Sequence, residues 1–534
     1  MNKTKLYTAA LLGSALLFSS CGDFLEPKST SEYVPKEVSS LNEILLGEAY
    51  PRNDIGGFNI FLTLMDDDVT ATQYQEPENN FDETLYLASY TWQPDMFKMM
   101  EEAGETSTDM YYTYYRKLKG ANAVIDYIHT VSGEPDDINN VLAQAYALRG
   151  FFYLQLVNIF GQPYSENPEA LGVPLKLTSG VEENPLKRNT VKECYDQIVK
   201  DLLEAERLYN LLPAAKQWKQ NYRTSLPMVQ LLLSRTYLYM ENWTEAAKYA
   251  KLVMDNSQFK LLDLNTVPTE ETKEGQTTRV YTNYHGYTSS SEVIFPYGNV
   301  NDWAGWVEDY SEVGIDGDAR VPYFKASEDL LNTFDDKDLR KERYIVRKNF
   351  QGELMPLAVG KLNVNTSFRP SGGTGIFGRS IRLSEAYLNY MEAEAMLFKT
   401  TGNDADRQEA LKALNDLRVK RFAPEDYVEE NIADADELVT FIHNERRREL
   451  CFESHRWYDL RRWGMPEIKH VWYDTNNTKT TYTLQAKDPL YTVPIPDEAI
   501  EKNINLDQNP LGSKRIGETT DNITDSNPDK DTEE

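Results

Sequence analysis

Little in this chain of 534 residues suggests metal or redox chemistry, since it holds only three cysteines and five histidines. His129, His285, His443, His455 and His470 are scattered, and none falls in an HExxH or other zinc spacing. No transition-metal site is expected. So few cysteines at this length exclude a disulfide-stapled scaffold. Cys194 and Cys451 sit in helical patterns and could pair only if the fold brings them together. Two buried free thiols are the simpler reading. Positive charge is also short: 56 Lys and Arg face 85 Asp and Glu, a net charge of -29. An acidic surface repels phosphate backbones, which argues against nucleic acid as a ligand. Beyond the N-terminus no apolar run approaches the roughly 20 residues that span a bilayer.

What is present begins with a targeting segment. Lys3 and Lys5 precede an apolar stretch from Leu6 to Phe18, and Ser19 and Ser20 lead into Cys21. Residues 1–20 read as a secretory signal. Phe18-Ser19-Ser20-Cys21 reads as a lipobox with Phe in place of the usual Leu. Cys21 is then the lipidated first residue, anchoring the protein to a membrane without spanning it. The remainder is 40% hydrophobic and 12% aromatic, a globular composition with 34 tyrosines.

Helical periodicity dominates that remainder. Apolar residues at helical spacing mark one helix over about 111–129 and another after Pro135, carrying Leu142, Phe152, Leu156 and Ile159 up to Gly161 and Pro163. A second pair runs from Ser225 to about 256 and spans roughly 34 residues, the period of a tetratricopeptide repeat. A third lies over 382–419, broken at Gly402-Asn403, and a last helical stretch over 437–464. Between the pairs, about 262–379 is rich in Tyr, Gly, Asn and Thr and reads as elaborate loops with short strands. Loops of such length are usually functional. The segment 517–534 is acidic and without apolar periodicity, and is expected to be disordered. The expected fold class is therefore mostly α, with tetratricopeptide-like helix pairs and one large irregular region, in a single unit over 21–516.

Several blocks then carry a family resemblance. Cys21-Gly22-Asp23-Phe24-Leu25-Glu26, YRKLKGANAVI from Tyr115 to Ile125, LRGFFYL from Leu148 ending at Phe160-Gly161-Gln162-Pro163, IRLSEAYLNY from Ile381, ERRRELCFESHRWYDLRRWG from Glu445 and YTVPIPDEAIEKNINLDQNPLG from Tyr491 resemble, in that order, conserved blocks of the SusD/RagB family. Gly150, Cys451 and Ser454 depart from the commoner residues. The resemblance implies a helix-pair fold with an irregular ligand-binding region. It implies a surface-exposed outer-membrane lipoprotein that works as a lid on a SusC-like, TonB-dependent β-barrel transporter. It implies no catalytic residues and no cofactor, with glycans as the usual ligand and peptides as the alternative.

The charged block from Glu445 to Gly464 reads as a structural lattice of ion pairs, with Arg446, Glu449, Glu453, Arg456 and Asp459 as members. On one continuous helix Glu449 would reach Arg446 or Arg456. Gly373 to Gly378 spells GxGxxG, but the polar stretch before it is no Rossmann strand, so a loop before the Arg382 helix is expected. Asp66-Asp67-Asp68 lacks the spacing of a calcium loop, and a solvated or capping role is expected. Acidic pairs abound without a defined catalytic spacing, which disfavours a glycosidase.

Aromatic residues among polar ones are the best functional lead. Sugars offer apolar faces edged by hydroxyls and need flat platforms with a few polar partners. One patch holds Tyr74, Asn79, Trp92 and Asp95. A second holds Tyr284 and Tyr287, and a third Asn301, Asp302, Trp303, Trp306 and Tyr310. Each residue singly serves as well to pack its own loop.

Overall fold

A computed structural model of the chain describes residues 35–52, 60–73, 84–104, 110–273, 275–299, 324–350, 353–361 and 377–520. The signal segment, Cys21 and residues 521–534 lie outside them. Helix α1 (Met110–Tyr127) leads into α2 (Pro135–Phe160). Pro135 sits in the first turn, where its missing N–H costs nothing, and Asp136 and Asp137 face the positive end of the helix dipole. Thr190 and Glu193 form a reciprocal capping box that starts α3 (Val191–Asn210). Helices α4 (Leu226–Tyr239) and α5 (Trp243–Met254) follow, the second capped by the Asn242 side chain. Helix α6 (Leu383–Thr401) ends at Gly402, whose φ of 70° suits a residue without a Cβ. Asn403 then caps α7 (Asp404–Arg418).

The stretch expected over 437–464 is divided. Helix α8 (Ala435–Leu450) stops, and α9 (Arg456–Arg462) starts on a new axis. Phe452 and Ser454 between them have φ of 61° and 63°, left-handed values that no right-handed helix contains. From α1 to α7 each helix packs on the next, and α8 returns onto α6. Phe152, Leu156, Ile159, Leu232, Ala250, Ala386 and Leu414 are fully buried along this stack.

The irregular region contains strands, as expected, each short, and some are paired at long range. Strand β1 (Val69–Ala71) pairs antiparallel with β3 (Phe324–Ala326), and β2 (Val293–Asn299) with β6 (Phe377–Arg382). Strands β4 (Ile345–Phe350) and β5 (Glu353–Val359) form a hairpin. Strands β7 (Ile468–Tyr473), β8 (Lys479–Leu484) and β9 (Glu518–Thr520) form a three-stranded sheet. Two expectations change here. Arg382 is the last residue of β6 rather than the first of a helix, so the end of the GxGxxG stretch, Phe377-Gly378, is buried strand. The start of the supposedly disordered tail adds β9 to a sheet edge. Gly517 permits this, because a Cβ there would lie 2.3 Å from Thr480 Cγ2.

A second apolar cluster gathers Tyr86, Tyr90, Phe324, Tyr344, Phe452 and Trp472 beneath the strands. Cys194 and Cys451 are both buried and free, and burial pushes each thiol up to about 12. Among the described residues no helix is long and apolar enough to cross a membrane.

Candidate ligand-binding face

The charged block organises the irregular region. Glu449 is fully buried and accepts from Arg340 at 3.0 Å, Arg382 at 2.7 Å and Arg421 at 2.8 Å, with the Tyr344 hydroxyl donating at 3.2 Å. Glu453 takes Arg382 at 2.8 Å and Lys361 at 2.6 Å. Glu292 ties Arg382 and Arg421 together, at 2.9 Å from each. Burial alone would raise the Glu449 pKa. The Arg421 and Arg382 guanidiniums outweigh it and hold the carboxyl well below the ordinary range.

These partners differ from those that sequence spacing offered. Glu449 does not pair with Arg446 or Arg456, because α8 ends at Leu450 and Arg456 belongs to a differently directed helix. Arg446 turns instead to Asp459 at 2.8 Å and Asn389 at 2.8 Å. Arg456 reaches Asp67 at 2.6 Å.

Asp66-Asp67-Asp68 is likewise not solvated. Asp66 and Asp68 are buried, Asp68 pairs with Arg447 at 2.8 Å, and Asp66 accepts the Asp68 N–H at 2.9 Å. Burial opposes ionisation of Asp67, yet Arg447 and Arg456 draw its carboxyl down to about 2. Burial and the neighbouring Asp68 and Asp67 push Asp66 well above its usual value. The three carboxylates lie close enough together to suggest a cation site. Two guanidiniums already occupy their faces, so the cluster fits ion pairing better than a metal.

These charge pairs fasten the flanks of 74–83, 300–323 and 362–376, of which the first two carry aromatic candidates. Lys361, just before 362–376, donates to the carbonyls of Glu449 and Cys451 at 2.7 and 2.8 Å. Arg382 lies five residues beyond Phe377, where the chain is described again. Asp67 and Asp68 precede β1, and Asp329, which follows β3, shares Arg447 at 2.6 Å. The pairing registers bring the flanks together. Asn299 lies opposite Phe377, and the Gly298 N–H donates to the Pro51 carbonyl at 3.1 Å. The flanks of 53–59, 300–323 and 362–376 therefore meet at one end of the β2–β6 ribbon. Ala71 opposite Phe324 brings the flank of 74–83 to the far end of 300–323.

At the ribbon end stands an aromatic cluster that sequence reasoning missed. The Tyr222 ring is 38% exposed. It is backed edge-on by Tyr50 at 6.2 Å and by a tilted Phe377 at 6.2 Å, both buried. Arg223 lies over Tyr50 at 5.5 Å and donates to Asn42 at 2.9 Å. Tyr222 belongs to the α3–α4 connection, 211–225, which is long for a join between neighbouring helices. That length, with an aromatic between Asn221 and Arg223, was the available signal.

The candidates divide accordingly. Tyr287 is half-buried beside this cluster. Its hydroxyl donates to the Asn221 carbonyl, and its own carbonyl accepts from Gln220 at 3.2 Å, so it braces the Tyr222 connection. Tyr284 is buried edge-on against Tyr344 at 5.2 Å, which leaves no face for a ligand. Trp92 is also no platform. It is fully buried, its indole N–H donates to the Met65 carbonyl at 2.9 Å, and its ring stacks on His470 at 4.2 Å. Asp95 is exposed at a short helix start, without a capping bond. Tyr74, Asn79, Asn301, Asp302, Trp303, Trp306 and Tyr310 lie outside the described residues.

Two family models match the chain. One, described as the SusD family, covers residues 359–511, and the other, described as starch-binding associating with outer membrane, covers 23–238. The chain belongs to the SusD/RagB family. A SusD-like protein P2 of Formosa agariphila is 26% identical to this family member over 435 residues, 74% of this chain and 79% of the relative. Solved folds agree. A SusD superfamily protein of Bacteroides vulgatus superposes with a TM-score of 0.66 at 19% identity, over 89% of this chain and 99% of that one. A laminarin-binding SusD-like protein gives 0.60 at 21% identity, over 89% and 99%. The SusD-like architecture accounts for helix pairs on one side and a charge-pinned, aromatic-bearing region on the other.

Proposed function

We propose that this SusD/RagB protein captures oligosaccharide at the cell surface, held in the outer membrane by lipid on Cys21, and passes it to a SusC-like TonB-dependent transporter. It acts as a binder, without a catalytic group. The observation that carries this reading is the exposed Tyr222 ring, backed by two buried rings where the flanks of 53–59, 300–323 and 362–376 converge. An aromatic face held from behind is pre-organised for the apolar face of a sugar. In this reading Trp303 and Trp306 stack on sugar rings, while Asn301 and Asp302 bond sugar hydroxyls. The laminarin-binding relative lends support to a glycan over a peptide.

The soluble chain from residue 22 onward, tested on a glycan array beside a peptide library, decides between the ligand classes. A defined glycan class is expected. Tyr222→Ala, and separately Trp303→Ala with Trp306→Ala, should each weaken its binding about tenfold, roughly 1.4 kcal/mol. Unchanged affinity in all of these variants would refute the site, and binding of peptides alone would refute the glycan reading.

A further inference from the structure

A second pocket opens far from the Tyr222 face. Helix α2 measures the separation. In its first half Gln144 accepts the Tyr50 hydroxyl at 2.6 Å, and at its end Phe160 meets the Tyr111 ring edge-on at 5.1 Å. Those sixteen residues correspond to about 24 Å along the axis. Beside Tyr111, the first turns of α1, residues 174–186 and residues 498–506 line an open pocket of about 260 Å³.

Its chemistry is specific. Tyr111, Tyr112 and Tyr115 supply aromatic wall, and Tyr115 is fixed by donating to the Pro174 carbonyl at 2.7 Å. Tyr112 is 57% exposed at the pocket. Lys176, Glu498 and Lys502 complete the lining. Lys176 is engaged by Glu182 and by Thr178 at 2.6 Å, and Lys502 by Glu498, so the rim presents both signs of charge in balance. A balanced rim gives no preference to an anion or a cation. Tyrosine side chains beside charges that are already paired suit an uncharged ring with apolar faces and hydroxyl edges. The volume lies below that of pockets for drug-sized ligands, which limits the occupant to one or two such rings.

We infer that this pocket is a second carbohydrate subsite, resting on the glycan reading of the first. Two subsites on one rigid stack would hold a long chain more tightly than either alone. The test is calorimetric titration of maltotriose, laminaritriose, mannotriose and xylotriose. It uses the soluble chain and a variant carrying Tyr222→Ala, Trp303→Ala and Trp306→Ala. Residual binding of at least one trisaccharide is expected in the variant. Adding Tyr112→Ala should lower it tenfold or more with an unchanged melting temperature, since Tyr112 is largely exposed. If the parent chain binds but the triple variant binds nothing, or if Tyr112→Ala leaves the residual binding intact, the second subsite is refuted and the first stands. If the parent chain binds none of the four and no glycan on the array, both readings fall.

Discussion

Trp92 has the neighbours of a sugar platform in sequence, among Tyr, Gln and Asp, and the environment of a core residue in space. His470, almost four hundred positions away, stacks on it, and a main-chain carbonyl takes its N–H. Neither contact leaves a mark in local sequence, whereas an exposed tryptophan and a buried one look alike there. Trp92→Ala is therefore expected to cost about 3–5 kcal/mol of stability in urea titration, with ligand affinity preserved in the folded fraction. Glu449 shows the complementary case. That it belonged to an ion-pair block was legible from the alternation of Arg and Glu. Its partners Arg340, Arg382 and Arg421 were not, since they come from three other segments. Removing this one carboxylate leaves three buried guanidiniums short of a counter-charge. Glu449→Ala should lose about 3–5 kcal/mol in the same titration, and a loss below about 1 kcal/mol would mean that the network is not strongly coupled.

Helices were readable because their period and their punctuation agree. Pro135, Asn242, Gly402 and Asn403 each mark a boundary with a known backbone requirement. The break between α8 and α9 escaped because Cys451 to His455 contains neither Gly nor Pro, and two ordinary residues take up the left-handed conformation. The pairing of the short strands escaped for another reason: partners lie up to 257 positions away, as in Val69 opposite Ala326. Gly150 departs from the family pattern at a place where helices touch. A Cβ there would sit 2.9 Å from Leu202 Cδ2 and 3.6 Å from the Ile198 carbonyl, so α2 and α3 are in close contact. Gly150→Val should force them apart and cost about 1–3 kcal/mol, read as a lowered urea midpoint. A midpoint at or above the parent value would show that the contact relaxes freely.

Across the whole molecule, buried titratable groups set the response to acid. Burial holds His285 down at about 3, His470 at about 4 and His455 well below its usual value. In the unfolded chain each would protonate near 6.5. The unfolded state then binds more protons, so stability is full above that value and falls as pH drops toward the folded pKa values. With all three titrating, the histidines alone give a slope of roughly 4 kcal/mol per pH unit, which Glu394, raised to about 7 by burial and by Asp406 and Glu409, partly offsets. Below about 4.5 the arginine-paired Glu392, Glu445, Glu449 and Glu453 add to the loss. Burial favours their neutral form, but the guanidiniums keep their folded pKa values depressed. Asp66, raised by burial and by Asp68, works in the opposite sense and offsets part of it. Urea midpoints measured from pH 7.5 to 4 should decline from about pH 6.5 and steepen below 4.5, and a flat profile between 6.5 and 5 would contradict the neutral state of the histidines. The fastening of Lys361, Arg382, Asp67 and Asp68 has a different kind of consequence. Because the anchors on either side of 300–323 and 362–376 belong to the scaffold, the proposed recognition role could change without changing the fold. A lineage that met a new polysaccharide could rewrite 300–323 or 362–376 while the molecule went on folding as before, and a designer could graft a foreign insert between Asn299 and Phe324 on the same terms.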